Sequence, residues 1–346
     1  MLLLPVATGM TRVGFLSFGH WQNVEGSVTR TGGDALLQAI DLAVAAEEVG
    51  VDGAYFRVHH FARQHASPWP LLAAAAAKTS RIELGTGVID MRYENPLAMA
   101  ELAAQADLIA AGRLQLGISR GSPETVVDGW RTFGFEPADG ETDADMARHH
   151  TVAFRAAIAG QPLAAGNPRM VGTTALQPIQ PQSPGLSERV WWGAGTRATA
   201  VWTAEQGMNL MSSTLLTEDT GVPFDELQAE QIAMYRDAWT GERTPRVSVS
   251  RSILPIFDDE TRYYFGLSAQ REQQDQVGML DGAQSRFGRS YVGEPDAIAA
   301  ELAQDAAVQA ADTVLVTVPN QLGPEFNARM LEVIVRDVMP VVDAVR

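Results

Sequence analysis

The sequence contains no cysteine, which removes disulfides, thiolate metal sites and catalytic thiols from consideration. It has no run rich in lysine and arginine, and 42 acidic against 26 basic side chains leave a formal net charge of −16. That balance argues against nucleic acid as a partner, yet it leaves room for an anionic cofactor held by a few local donors. Long apolar stretches are missing too: the opening Met1–Ala7 is apolar but short, and no basic leader precedes it, so no membrane span is expected. The expectation is a cytoplasmic protein in which residues 1–10 form a loose extension. Metal chemistry has little to draw on, with six histidines and no His-x-His or His-x-x-x-His spacing.

What the chain does have is a regular alternation of short apolar strands and helices. Hydrophobic residues fill 46% of 346 positions, enough for one large core. Periodicity predicts strands at Arg12–Phe18, Ala54–Val58, Ile82–Gly87, Leu114–Ser119, Arg189–Trp192, Asn209–Ser212, Arg246–Leu254 and Asp312–Pro319. Helices are expected between them: one capped by Asp34, then Trp69–Thr79, Pro96 to Ala111, Asp143–Ala159, Thr196–Gln206, Pro223–Trp239, Pro295–Gln309 and Pro324–Val338. Eight such units, with no Gly-x-Gly-x-x-Gly turn opening the chain, point to an α/β fold of the (β/α)8 TIM-barrel type ahead of a doubly wound sheet. Residues 1–346 read as a single barrel domain, with an insertion at 133–184 and a polar segment at 258–290 of the length that often covers a site.

Active sites of parallel barrels collect at the carboxyl ends of the strands. Ala54, Phe56 and Val58 alternate with Tyr55 and Arg57, which places His59 on the interior face and His60 on the outer one. His59 is a candidate acid/base because an imidazole titrates near neutral pH; a histidine satisfied by backbone fits the spacing equally. Arg120-Gly121-Ser122 after the fourth strand suits a phosphate or carboxylate, or an arginine paired with a loop acid. Gly193-Ala194-Gly195-Thr196-Arg197 offers close backbone approach, a helix cap and first-turn N–H groups. Gly85-Thr86-Gly87 reads either as a surface for a flat ring or as a plain turn. Trp191-Trp192 and Tyr263-Tyr264-Phe265 read as ring-stacking groups or as packing.

Taken in order, His59-His60-Phe61, Gly85-Thr86-Gly87-Val88, Leu116–Gly121, the Gly195-Thr196 loop and Tyr291-Val292-Gly293-Glu294-Pro295 resemble the bacterial luciferase-like flavin-dependent monooxygenases. The resemblance covers nearly the whole chain. It implies reduced FMN as a co-substrate delivered by a separate NAD(P)H flavin reductase, with O2 and a small organic substrate such as an aldehyde or ketone. It further implies that His59 acts beside the flavin and that Thr86, Gly87 and Val88 lie under its ring, where relatives often have a non-prolyl cis peptide. Ser119, Arg120, Ser122, Gly195, Thr196 and Thr199 are implied as cofactor-binding, with Arg120 and the Gly195–Thr199 loop on the phosphate. A mobile lid at 258–290 and a homodimer are implied by the same resemblance. There are departures: Val58 stands where the luciferase pattern has a glutamate, Ser119 where it has a reactive cysteine, and Asn95-Pro96 where relatives commonly carry His-Pro. Light emission is therefore not expected. Deazaflavin-dependent hydride transfer and a non-catalytic flavin-binding protein are the alternative readings.

Overall fold

The computed structural model describes residues 10–121, 125–218, 220–270, 275–280 and 283–346. Eight strands form the ring: β1 (Arg12–Ser17), β2 (Gly53–Phe56), β3 (Glu83–Thr86), β4 (Leu114–Ser119), β5 (Val190–Ala194), β6 (Asn209–Ser212), β7 (Val247–Pro255) and β8 (Thr313–Thr317). Each is parallel to the next, and β8 returns to β1 with Val314 opposite Val13. The closed ring is the (β/α)8 barrel that the alternation predicts. Outward-facing Val13, Phe15, Ala54, Phe56, Leu84, Leu116 and Val314 are buried in the layer shared with the surrounding helices. Among the described residues no helix is long and apolar enough to cross a membrane.

The interior is closed at the amino end. Tyr55 on β2 is 1% exposed, and its ring takes the space that side chains would fill at three glycines. A Cβ at Gly53 would lie 2.6 Å from it, at Gly85 2.5 Å and at Gly14 3.2 Å. Leu16, Trp191, Met211 and Leu315 pack around the same ring layer. Glu83 lies at this end too, accepting hydrogen bonds from Arg12 (2.7 Å) and from both terminal nitrogens of Arg246 (2.9 and 3.0 Å). Trp191 donates to Gln115 at 2.8 Å. Glu83, Gln115, Trp191 and Arg246 are thus paired with one another, as burial requires.

Several elements differ from expectation. Strand β2 stops at Phe56 instead of Val58. Thr31, not Asp34, caps the first helix: its hydroxyl accepts the Asp34 N–H while the Asp34 carboxylate accepts the Thr31 N–H. The helix expected at Pro295–Gln309 is two, Pro295–Leu302 and Ala306–Ala310. The break has a physical cause at Asp305, which adopts an extended backbone and caps the N–H groups of Ala307 and Val308. Its carboxylate also accepts from Arg251 Nε (2.7 Å) and Nη2 (2.9 Å) and from the Tyr291 hydroxyl (2.6 Å). The closing helix Gly323–Val333 passes into a π-helical turn at Ile334–Val338. In the 133–184 stretch, Ala164–Ala165 pairs with Leu176–Gln177 after the helix Asp143–Ile158.

The 258–290 stretch is not a plain loop. It holds a helix, Asp259–Ala269, and an antiparallel hairpin, Gln276–Leu280 with Ala283–Phe287. Leu215–Leu216 adds a third strand to that hairpin, opposite Phe287 and Arg286. Ser290 already belongs to a strand, Ser290–Gly293, parallel to β7. Residues 271–274 and 281–282 lie outside the described residues.

The buried Arg251–Asp305 pair makes two outcomes measurable. Its side chains are 2% and 0% exposed, so Asp305→Ala strands a buried guanidinium and should cost about 3–5 kcal/mol in chemical denaturation; a loss under about 1 kcal/mol would contradict the pairing. Burial alone would raise the Asp305 carboxyl, but the Arg251 charge and hydrogen bond, with the Tyr291 hydroxyl, hold it below the usual carboxylate range. With the folded pKa depressed, this stabilisation is present above the unfolded pKa and lost as pH falls toward the folded one. The stability gap between wild type and Asp305→Asn should therefore narrow as pH drops from about 5 to about 3.

Candidate active site

Above the closed layer, at the carboxyl ends of the strands, lies a cavity of about 590 Å³. Its floor is apolar, with Leu16, Met211 and Leu315. Two chemically different walls rise from it.

One wall carries histidines. Because β2 ends three residues before His59, strand alternation does not reach the pair. Arg57 N–H still donates to Ser17 O (2.9 Å), and His59 N–H donates to His65 O (2.8 Å) as the chain turns, with Phe61 at φ 56°. Both His59 and His60 line the cavity, correcting the expectation that His60 faces outward. The His60 ring stacks on Tyr93 at 4.2 Å and meets Phe133 edge-on at 5.3 Å. His65, which no strand-end pattern marks in the sequence, is 2% exposed and fills the space above Gly19; it fixes the loop that carries His59. Arg57 lies 4.8 Å over the Phe18 ring, and burial pushes its guanidinium below its usual range. His20 stacks on Phe18 from another side, and burial, then the Arg57 charge, lowers its pKa.

A second wall, from the ends of β4 and β5, offers hydroxyls and cations. Arg120, Gly195, Thr196 and Thr199 line it together. Thr196 caps the helix Arg197–Glu205: its hydroxyl accepts the Thr199 N–H (3.1 Å) and donates to the Thr199 hydroxyl (2.8 Å). The Thr199 proton is thereby left to donate elsewhere. Arg120 is exposed at the rim and has no hydrogen bond or ion pair among the described residues. Arg148, on the helix Asp143–Ile158, also reaches the cavity, 5.5 Å over Trp202. A search confined to strand ends passes over Arg148, because it comes from a helix of the insertion.

Between the walls runs the end of β3. The Gly87–Val88 peptide is cis, and both residues line the cavity. Thr86 does not: it is fully buried, with its hydroxyl on Gly117 O at 2.8 Å. Strand alternation turns its side chain outward while Gly87 faces in, so any contact of Thr86 with a cofactor ring would come from its backbone. Ser119 lines the cavity and accepts the Gly121 N–H at 2.8 Å. Asp90 packs on Gly121 and is held by Arg92 (Nη2–Oδ2 2.7 Å), which also pairs with Asp143 at 2.9 Å. Burial, then the Asp90 charge, pushes Glu94 up to about 7. Ser122 lies outside the described residues.

This arrangement fits a cofactor with a flat ring and an anionic end. Gly193 keeps the cavity side of β5 free of a side chain, since an added Cβ would come within 3.2 Å of Val88 and 3.4 Å of Ser119. The anion finds guanidinium, hydroxyl and helix N-terminal donors on one wall.

Residues 10–309 match the luciferase-like monooxygenase family. Over 288 residues the chain is 24% identical to the oxygenase component of a flavin-dependent trigonelline monooxygenase from Acinetobacter baylyi, covering 77% of this chain and 74% of that protein. It is 32% identical over 126 residues to 4-hydroxyprotoasukamycin monooxygenase from Streptomyces nodosus subsp. asukaensis, covering 36% of this chain and only 33% of that protein's length. It is 34% identical over 104 residues to an F420-dependent glucose-6-phosphate dehydrogenase from Amycolatopsis mediterranei, 27% of this chain and 31% of that protein. Among solved structures, a monooxygenase from Streptomyces bottropensis shares the fold with a TM-score of 0.70, 20% identity and coverage of 95% and 99%. The oxygenating constituent of 3,6-diketocamphane monooxygenase from Pseudomonas putida, in complex with FMN, gives 0.67, 15% identity and coverage of 96% and 99%. With its closed barrel and two-walled cavity, the chain belongs to the luciferase-like monooxygenase family, whose relatives use flavin or the deazaflavin F420.

Proposed function

We propose that this protein is the oxygenase of a two-component, cytoplasmic monooxygenase, using reduced FMN and O2 to oxidise a small organic substrate. A separate NAD(P)H flavin reductase would supply the reduced cofactor. The observation that carries this reading is the meeting, in one cavity, of the histidine wall with the Arg120, Thr196 and Thr199 wall across the Gly87–Val88 turn. Bound reduced flavin would supply the electrons that activate O2. Arg120 and the hydroxyls of Thr196 and Thr199 would hold its phosphate, with Gly195 letting the backbone come close. Gly87, Val88 and Ser119 would lie against its ring, and Ser122 belongs to the same proposed set. His59 would hold or release a proton facing the substrate. The hairpin of Gln276–Leu280 and Ala283–Phe287, joined to the cavity rim through Leu215, would act as the lid that keeps water out.

A second reading is hydride transfer from a reduced deazaflavin, which needs no oxygen. The F420-dependent relative favours it; the net charge of −16 disfavours a cofactor with a long anionic tail. Anaerobic titration with reduced FMN and with reduced deazaflavin, followed by admission of oxygen, separates the two. FMN binding with oxygen-dependent spectral change supports the monooxygenase; preference for the deazaflavin with no oxygen response sinks it.

A homodimer belongs to the proposal, supported by exposed Leu102, Leu108 and Ile109 on the helix Pro96–Ile109; sedimentation as a monomer would remove it. His59→Ala should retain flavin affinity and lose at least about a hundredfold in turnover, the usual scale of a lost acid/base, and intact turnover excludes His59 from the chemistry. Arg120→Ala should weaken FMN by about tenfold or more while riboflavin binding stays within about twofold, as for loss of a charge-assisted phosphate contact. Equal loss for both flavins would contradict the phosphate assignment.

A further inference from the structure

The loop Gly195-Thr196-Arg197 offers an anion more donors in the sequence than the fold leaves available. The first-turn N–H of Arg197 already donates to Glu218 Oε2 at 3.0 Å, and Arg197 Nε lies 3.3 Å from the same oxygen. Its Nη1 pairs with Glu230 Oε2 at 2.9 Å. One cation thus faces two carboxylates, which leaves this rim with a net charge of −1 from Arg197, Glu218 and Glu230. The Glu218 carboxylate is held in place: the preceding residue, Thr217, lines the cavity and donates its N–H to Gly195 O at 3.1 Å. Leu215 and Leu216 pair with Phe287 and Arg286 of the hairpin. A helix N-terminus favours an anion because its first amides are unsatisfied and its dipole is positive there. Here one of those amides carries an internal anion, immediately beside the Thr196 cap.

Resting on the FMN reading, we infer that Glu218 is a resident anion that lowers the affinity of the adjacent seat for the cofactor's phosphate, so that the flavin exchanges instead of staying bound. The donors left to the phosphate are Arg120, Thr196 and Thr199, with Arg148 on the same cavity and 3.8 Å from Asp145. Like charges repel even in a partly wet site, and the Glu218 side chain is 26% exposed. A cofactor that arrives reduced from another protein and leaves oxidised is served by a seat of moderate strength. Glu218 sets that strength without touching the ring or the histidine wall.

The test is the binding of oxidised FMN and of riboflavin, followed by flavin fluorescence, to wild type, Glu218→Gln and Glu218→Ala. Glu218→Gln keeps the shape and an acceptor for the Arg197 N–H and removes only the charge. Both variants should bind FMN about three- to fivefold more tightly, with slower release, while riboflavin affinity is unchanged. Raising the salt should shrink the difference, because the Glu218 carboxylate is only partly buried and its field is screened through solvent. Unchanged or weaker FMN binding in both variants, or an equal gain for riboflavin, overturns the inference while the FMN reading stands. If wild type binds neither flavin, the FMN reading itself falls and takes the inference with it.

Discussion

One tyrosine ring, laid across the inside of the barrel, decides which end of it is filled and which is left open. Tyr55 fits only because Gly14, Gly53 and Gly85 present no side chain to it, and a close-packed interior has no spare volume for an added side chain there. The Arg12, Glu83 and Arg246 ion pairs lie at that end. With the amino end filled, the remaining space lies at the carboxyl end, where the candidate site is gathered. Cavity, histidines and anion donors are placed by the strands that end around this plug.

The two walls differ because different parts of the chain build them. The histidine wall is aromatic: Phe18 lies against Arg57, Tyr93 and Phe133 lie against His60, and burial lowers the proton affinity of Arg57 and His20. The anion wall is a helix start and two hydroxyls, open to solvent at Arg120. An aromatic side suited to proton control thus shares the cavity with a side suited to holding charge. The Gly87–Val88 turn divides them.

The second half of the barrel depends on a different device. Arg251, Asp305, Tyr291 and Gln228 form one buried network that ties β7 to the helix Phe224–Ala238 before it and to the strand Ser290–Gly293 and helix Ala306–Ala310 after it. It gives the family-like segment Tyr291-Val292-Gly293-Glu294-Pro295 a structural role: the tyrosine hydroxyl goes to Asp305 at 2.6 Å and the proline opens a helix. From there Ser290–Gly293 leads back to the hairpin and to Leu215 at the cavity rim. Hairpin, network and anion loop are therefore physically continuous.

Local pattern was enough for the strand and helix order, because each element buries one face and its apolar spacing records which face that is. From it came the eight repeats, the barrel, and the expectation that His59, Arg120 and Thr196 follow strand ends, while only the family resemblance marks Thr199. Three things lay beyond local pattern. Where β2 releases its ladder is set by the His59–His65 backbone contact, so both histidines, not one, reach the cavity. The Thr86 hydroxyl goes to Gly117 O on the neighbouring strand and not to the cavity. Arg197 was spent on Glu218 and Glu230, residues 21 and 33 positions away. Buried faces and the number of repeating units could be read along the chain, since burial of apolar surface is a local and additive demand. Only the folded arrangement settles which polar groups are consumed by one another and which stay available to a ligand, because those pairings join residues far apart in the chain.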